Sequence, residues 1–426
     1  MYRSIYLPLD NSPFSLRGLD IAIDITRRAE GACLTGSHVY AAKLHDRRFR
    51  QMEGGLPEPY QKEEKLVEQR EIHDDLITRG LQVISDSYLD VFDRRCETGG
   101  VEGRRVSLEG KNWQRLVDDI SASDCELVIM GALGLGAVET SQLGSVCERV
   151  ARRIDRDLLV VRETQLREDG AILVALDGSP QSYGGLLTAL ELGSQLRRKV
   201  EAVAVFDPNF HYVAFNSIAK VLSAEAAQVF RFEEQERLHE EIIDSGLAKI
   251  YQGHLEVAAG IAKAQGVELG TKLLSGKPFE QLLRHTRMTR PWLLVLGRIG
   301  VHSEPGMDLG SATENLLRQG RCNLLLSARR HEPPLEEIAE TQMSWTEEAE
   351  ARMRRVPDFA RGMARKAIVK HALKEGHTVV TSDVIDACMS SVPQGAVDRY
   401  ATKNGIDPAT LGGAGGKCPF GMKPET

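Results

Sequence analysis

The chain has 426 residues, too many for one compact core, and its 42% hydrophobic and 27% charged composition is that of a folded globular protein. A formal net charge of -7 and an isoelectric point near 6.0 argue against a nucleic-acid or membrane-surface partner, because phosphate polymers and anionic lipids demand a basic face. Seven cysteines, odd in number and never spaced Cys-x-x-Cys, give no sign of a disulfide frame or a zinc site.

The first predicted element is a strand, Ile5-Tyr6-Leu7-Pro8-Leu9, ended by Asp10. It lacks the longer apolar core and cleavage site of a signal peptide, and no apolar run approaches the roughly 20 residues that cross a bilayer, so the expected location is the cytoplasm. Short β-type runs then alternate with helical stretches, the pattern of βαβ units that build a parallel sheet. A run of special interest is Leu127-Val128-Ile129-Met130, followed by Gly131-Ala132-Leu133-Gly134, then nine residues, then Gly144-Ser145.

The same unit returns. Leu293 to Gly300 repeats Leu127 to Gly134 at an offset of 166 residues, and without a gap Gly310-Ser311 falls on Gly144-Ser145, Glu314 on Glu148 and Arg318 on Arg152. The first strand recurs as Ile172-Leu173-Val174-Ala175-Leu176 with Asp177 at its end. The second copy's strands are predicted at 172–176, 200–206, 267–274, 293–296 and 323–327, with helices after Ser179 and after Glu240. Continuous apolar runs such as Leu293 to Leu296 indicate strands covered on both faces. The fold class is therefore α/β: two tandem open five-stranded parallel sheets plus a small C-terminal helical module. Residues 45–70 and 210–236 are extra connections after the second strand of each copy. They read as tolerated surface excursions, or as lids or dimer contacts.

Glycines at a strand's carboxyl end let the backbone turn and approach a ligand with no Cβ in the way. Gly-Ser opening a helix offers free N–H groups and a positive dipole end to phosphate, although Ser there also suits ordinary helix capping, which uses the same N–H groups. Asp10 and Asp177 stand where ligands of open α/β sheets gather, within reach of a ribose hydroxyl or a metal held by phosphates.

The strand-end acid, the Gly-2x-Gly-9x-Gly-Ser string and the five-strand order resemble the universal stress protein family over residues 1–163 and 170–329. The resemblance implies binding of ATP or AMP, with Mg2+ or Mn2+ as the accompanying metal, dimeric packing and no established turnover. Residue by residue, it implies an adenine pocket near Pro8 and Val39 in the first copy and Ala175 and Val205 in the second. It implies phosphate contacts from Gly131, Gly134, Gly144, Ser145 and Val146, and from Gly297, Gly300, Gly310, Ser311 and Ala312. Ala132 and Leu133 depart from the polar or basic residues that such loops often carry. Arg298 and His302 could steady phosphates or be solvated loop charges. The two copies are expected to pack on each other as dimer subunits do, and two chains could pair beyond that.

A charged, proline-containing linker follows Ala328, and Ser344-Trp345-Thr346-Glu347 reads as a capped helix start. Helices are predicted through Ala349 and Met353, from Phe359 to near Gly376, and after Thr381-Ser382-Asp383. The string 345–387 resembles the small C-terminal domain of the light-independent protochlorophyllide reductase B subunit. That resemblance implies docking to a protein partner and brings no reductase activity, since the cluster-ligating cysteines are missing. Three short helices bury little alone, so the module is expected to lean on something else. His371 and His377 read as helix-surface and helix-end residues rather than metal ligands, and Cys418-Pro419 in a Gly-rich tail reads as a chance pair rather than a haem motif.

The expected segments are 1–165 and 168–330 for the two repeats, 331–342 for a linker, 343–392 for the helical module and 393–426 for a flexible tail. Three functions are open: a nucleotide-responsive regulator, a slow ATPase or nucleotidyl-transfer enzyme, and a structural adapter with vestigial sites. Against the enzyme stand the missing phosphate-loop Lys and the missing His-x-Gly-His string.

Overall fold

The computed structural model describes residues 2–165, 169–208, 244–304, 306–334 and 343–391, apart from Pro357, Gly376 and Thr378. The expectations for residues 210–236 and for the tail with Cys418 lie outside the described residues. The chain divides into two compact units, Met1–Tyr251 with Ala262–Glu332, and Gln252–Ile261 with Pro333–Thr426.

In the first unit the first repeat supplies β1 (Ser4–Pro8), β2 (Cys33–Tyr40), β3 (Glu102–Glu109), β4 (Leu127–Gly131) and β5 (Asp157–Val161). The second supplies β6 (Ile172–Leu176), β7 (Val200–Phe206), β8 (Leu269–Ser275), β9 (Leu293–Gly297) and β10 (Asn323–Ser327). Each set is parallel, in the spatial orders 3-2-1-4-5 and 8-7-6-9-10. The second-copy strands fall where the apolar runs place them, except that β8 begins at Leu269 rather than at Val267.

The two sheets do not remain separate. β5 and β10 pair antiparallel, Leu159 opposite Leu325, and make one ten-stranded sheet. These two leucines are equivalent residues, so the join has an internal two-fold relation like that of an isologous dimer. The side chains obey it. Asp157 Oδ1 accepts the Ala328 N–H at 2.6 Å, while the equivalent Asn323 Oδ1 accepts the Arg162 N–H at 2.9 Å. Arg152 reaches Glu314 at 2.6 Å, and Arg318 reaches Glu148 at 2.8 Å. The Glu and Arg positions matched in the repeat are thus the ones that exchange partners across the junction, and one apolar cluster runs under both halves from Tyr6 and Val128 to Leu294 and Leu324.

The helices of the first repeat are α1 (Pro13–Thr26), α2 (Ala42–Met52), α3 (Glu63–Gly99), α4 (Asn112–Ala122) and α5 (Ser145–Ala151), of which α1, α3 and α4 pack on its strands and α2 packs on α3. The second has α6 (Pro180–Leu196), α7 (Asp244–Ala264), α8 (Pro278–Thr289) and α9 (Ser311–Gln319). The 45–70 excursion is helical, and most of it belongs to α2 and to the start of α3, a helix of 37 residues.

The C-terminal module consists of α10 (Glu347–Arg354), α11 (Asp358–Lys374) and α12 (Ser382–Ser391). The expected cap at Ser344 is displaced: Thr346 caps α10 by accepting the Ala349 N–H, because Ser344-Trp345 is taken up as a strand pairing with Val379-Val380. Met353, Val356, Ile368, Val369, Val380 and Ile385 are all at most 1% exposed, so the module has a small apolar core of its own.

Candidate functional site

The carboxyl ends of the strands open onto two cavities, one per repeat. The first, about 590 Å³, is lined by Pro8, Asp10, Val39, Gly131, Gly134, Gly144, Ser145 and Val146 among others. The second, about 220 Å³, is lined by Ala175, Asp177, Val205, Gly297, Gly300, Gly310, Ser311 and Ala312 among others. All sixteen residues that the resemblance or the strand-end acids single out therefore border the cavity of their own repeat.

The frame of each cavity is set by its strand-end acid. After Asp10 the chain needs a left-handed residue, supplied by Asn11 (φ 55°), and after Asp177 by Gly178 (φ 83°). Ser12 and Ser179 then cap α1 and α6, each with Pro as the first helical residue, whose fixed φ suits that position. Asp10 Oδ1 accepts the Ser12 N–H at 3.0 Å and Oδ2 the Leu135 N–H at 3.1 Å. Asp177 repeats this with Ser179 at 3.0 Å and Val301 at 2.9 Å, and also accepts the Ser179 hydroxyl at 2.6 Å. The acids tie the strand-to-helix turn to the glycine loop, a positioning role that the sequence reading did not assign them. It explains Gly134 and Gly300, since a Cβ at either would collide with that same carboxylate.

At the far end of the loop, Gly144 donates its N–H to Ala132 O at 2.7 Å and Gly310 to Arg298 O at 2.8 Å. These glycines are the N-cap residues of α5 and α9, and neither helix has a side-chain cap. Ser145 and Ser311 are the first helical residues, exposed, and not the caps. Gly310 avoids no collision in the protein, because an added Cβ would meet nothing nearer than 3.5 Å.

The walls hold residues that the sequence reading missed. Asn112 and Leu116 of α4 line the first cavity, and their equivalents Pro278 and Leu282 of α8 line the second. The 166-residue offset, carried over Lys111 and Lys277, would have found them. Tyr251 of α7 lines only the second, and no motif marks it. Burial and the Asp177 and Asp207 charges raise its pKa. In the first cavity, burial pushes the Cys147 thiol up to about 12, so it stays protonated. Burial lowers the His38 pKa, against the opposing pull of Asp10.

Arg298 does not line the second cavity. It is turned to the domain junction, where it donates to the Ala151 carbonyl at the end of α5, and burial lowers its pKa. Neither of the two readings left open for Arg298, a phosphate contact or a solvated loop charge, describes it; His302 does border the cavity. Among the described residues, no group of three or more His, Cys, Asp or Glu side chains is placed to hold a metal, and no helix is long and apolar enough to cross a membrane.

The pattern of the universal stress protein family matches residues 1–162 and again 170–327. The chain belongs to the universal stress protein family. Residues 345–388 match the pattern described as proto-chlorophyllide reductase 57 kD subunit. A putative universal stress protein of Staphylococcus saprophyticus is 26% identical over 184 residues, 43% of this chain and 96% of that protein. A universal stress protein of Mycobacterium tuberculosis is 33% identical over 88 residues, 20% of this chain and 29% of that protein. In the crystal structure of a universal stress protein from Archaeoglobus fulgidus, the fold matches with a TM-score of 0.51 at 16% identity. That match covers 76% of this chain and 98% of the other.

Proposed function

We propose that this universal stress protein is a cytoplasmic regulator that holds an adenine nucleotide, ATP or AMP, in each repeat, and that its C-terminal helical module docks a protein partner. One observation carries the reading: at the mouth of each cavity a helix opens on a glycine, and among the described residues no side chain caps the N–H groups of its first turn. Such amides, with the positive end of the helix dipole behind them, favour phosphate. The arrangement is stronger in the second repeat, where α9 has nine residues, than in the first, where α5 has seven. Val39 and Val205, 7% and 5% exposed, would flank the base at the opposite end of each cavity. A Mg2+ or Mn2+ ion would come with the phosphates, since among the described residues Asp10 or Asp177 is the only acidic side chain lining its cavity.

Equilibrium binding of labelled ATP and AMP tests the reading. The native chain should bind two equivalents. Gly310→Trp, which the protein around it accommodates at the Cβ, should bind one and keep its circular dichroism. Two equivalents bound by this variant with unchanged affinity would remove the cradle.

A further inference from the structure

We propose that the α2–α3 excursion of the first repeat is a self-association surface, on which a second copy of this chain packs its own α3 antiparallel about a two-fold axis. Of the fifteen large apolar side chains that stand exposed among the described residues, eight lie between Leu44 and Ile84. So dense a cluster marks an interaction site rather than ordinary surface scatter. The buried residues of α3, Ser85, Leu89, Phe92 and Cys96, all lie toward its carboxyl end, where it covers the sheet. Among the described residues the earlier half is braced by α2 and by the 3-10 turns that follow it, through Phe49 of α2 stacked on His73 with centroids 4.0 Å apart and Arg70 paired with Glu53 of the first turn at 2.6 Å.

Away from α2 the helix presents a shallow groove lined by Ile72, Asp75, Leu76, Arg79, Gly80 and Val83. Ile72, Leu76 and Val83 are 52%, 66% and 67% exposed, and they follow the three-and-four spacing of a helix-packing stripe. At Gly80 an added Cβ would meet nothing within 4 Å, so the glycine leaves a gap that no part of the described chain fills.

The stripe complements itself. Turned end for end, two copies set Ile72 against Val83 and seat Leu76 in the gap left at Gly80, and each contact occurs twice. The charges decide between a second copy and another partner. Asp75 and Arg79, 2.7 Å apart and 58% and 78% exposed, share one edge of the stripe. Antiparallel pairing puts Asp75 of each copy beside Arg79 of the other, whereas a strongly acidic or basic partner would satisfy one charge and repel its neighbour. The edges at which the two repeats join, β5 and β10, are consumed within the chain, so pairing of two chains requires another surface.

Sedimentation velocity of the full chain over a concentration series should show a closed monomer–dimer equilibrium. Leu76→Glu, and Gly80→Leu, which fills the gap while favouring helix, should each raise the dissociation constant at least about tenfold with unchanged circular dichroism. Asp75→Arg should weaken the dimer, and Asp75→Arg combined with Arg79→Asp should restore it. A chain that stays monomeric, a dimer indifferent to Leu76→Glu, or an open-ended polymer would each overturn the proposal, since a two-fold contact closes on itself.

Discussion

The two cavities share a backbone and differ in their walls. Both have a strand-end acid bonded to the same two loop positions, a left-handed residue after it, a capped helix on one side and an uncapped helix on the other. Around that frame, Asn112, Ser141 and Cys147 of the first cavity face the positions of Pro278, Met307 and Thr313 in the second. His38, at the edge of the first, has Ala204 as its equivalent. The second cavity is smaller, about 220 against 590 Å³, and Tyr251 adds to its wall. The carboxylate-to-amide bonds of that frame constrain both the acid and the loop backbone it holds, so they tolerate little change. Wall side chains can drift singly, so a repeated frame need not mean a repeated ligand preference.

The sharpest way to break the comparison is to remove the acids. Asp177 accepts three hydrogen bonds and Asp10 two. Replacing either by Ala removes these bonds, and because the freed Leu135 and Val301 amides are exposed and pass to water, the cost is about 0.5–1.5 kcal/mol for each variant. Urea unfolding should show the larger loss for Asp177→Ala. Equal losses would mean that the Ser179 hydroxyl adds nothing and that the frames are energetically alike.

A smaller effect is expected at the junction that joins the halves. Arg152 and Glu314 are 23% and 32% exposed, so a double-mutant cycle between them should return a coupling of about 0.5–1 kcal/mol. The reciprocal pair of Arg318, 51% exposed, with Glu148 should return less. A coupling of zero in both would show that these two ion pairs add nothing measurable to the junction.

Asn112→Pro converts one wall residue into its counterpart. Position 112 is the first residue of α4, where Pro fits as it does at Pro278 in α8, so stability should change by no more than about 0.5 kcal/mol. Nucleotide affinity at the first cavity should shift by a few-fold, as titration in a Gly310→Trp background, where only the first cavity binds, would show.

These contrasts also mark what the amino-acid sequence makes legible. All sixteen candidate residues border the two cavities because strand ends and glycine loops are local features, visible as apolar runs and as fixed spacings within one repeat. The single ten-stranded sheet was hidden, since β5 and β10 meet over 160 residues apart and nothing local distinguishes a paired edge from a covered one. Glu148, Arg152, Glu314 and Arg318 stood out as matched positions, yet which way their helix faces point depends on that pairing. Arg298 was misread for a similar reason: its loop borders the cavity, but its long side chain follows the junction to Ala151. In the C-terminal module, a two-residue strand at Ser344-Trp345 gains its partner 35 residues later, and that displaced the helix cap to Thr346.

The smallest expected difference is one of slope. Burial holds the folded-state pKa of His38 below its ordinary value, near 6.5, whereas the equivalent Ala204 cannot titrate. As pH falls through about 6.5 the unfolded chain takes up a proton at this position before the folded chain does, so stability is lost on acidification and regained above that range. Burial lowers His285 likewise, so the native chain carries at least two such contributions. Only the His38 contribution disappears in His38→Ala. The variant also loses the edge contact with Tyr88, at a centroid separation of 5.0 Å, but that loss is the same at every pH and moves the whole curve without tilting it. Thermal midpoints measured from pH 7.5 to 5 should therefore fall less steeply for His38→Ala than for the native chain. Parallel curves would mean that the ring is wet enough in the folded first cavity to protonate as freely as in the unfolded chain.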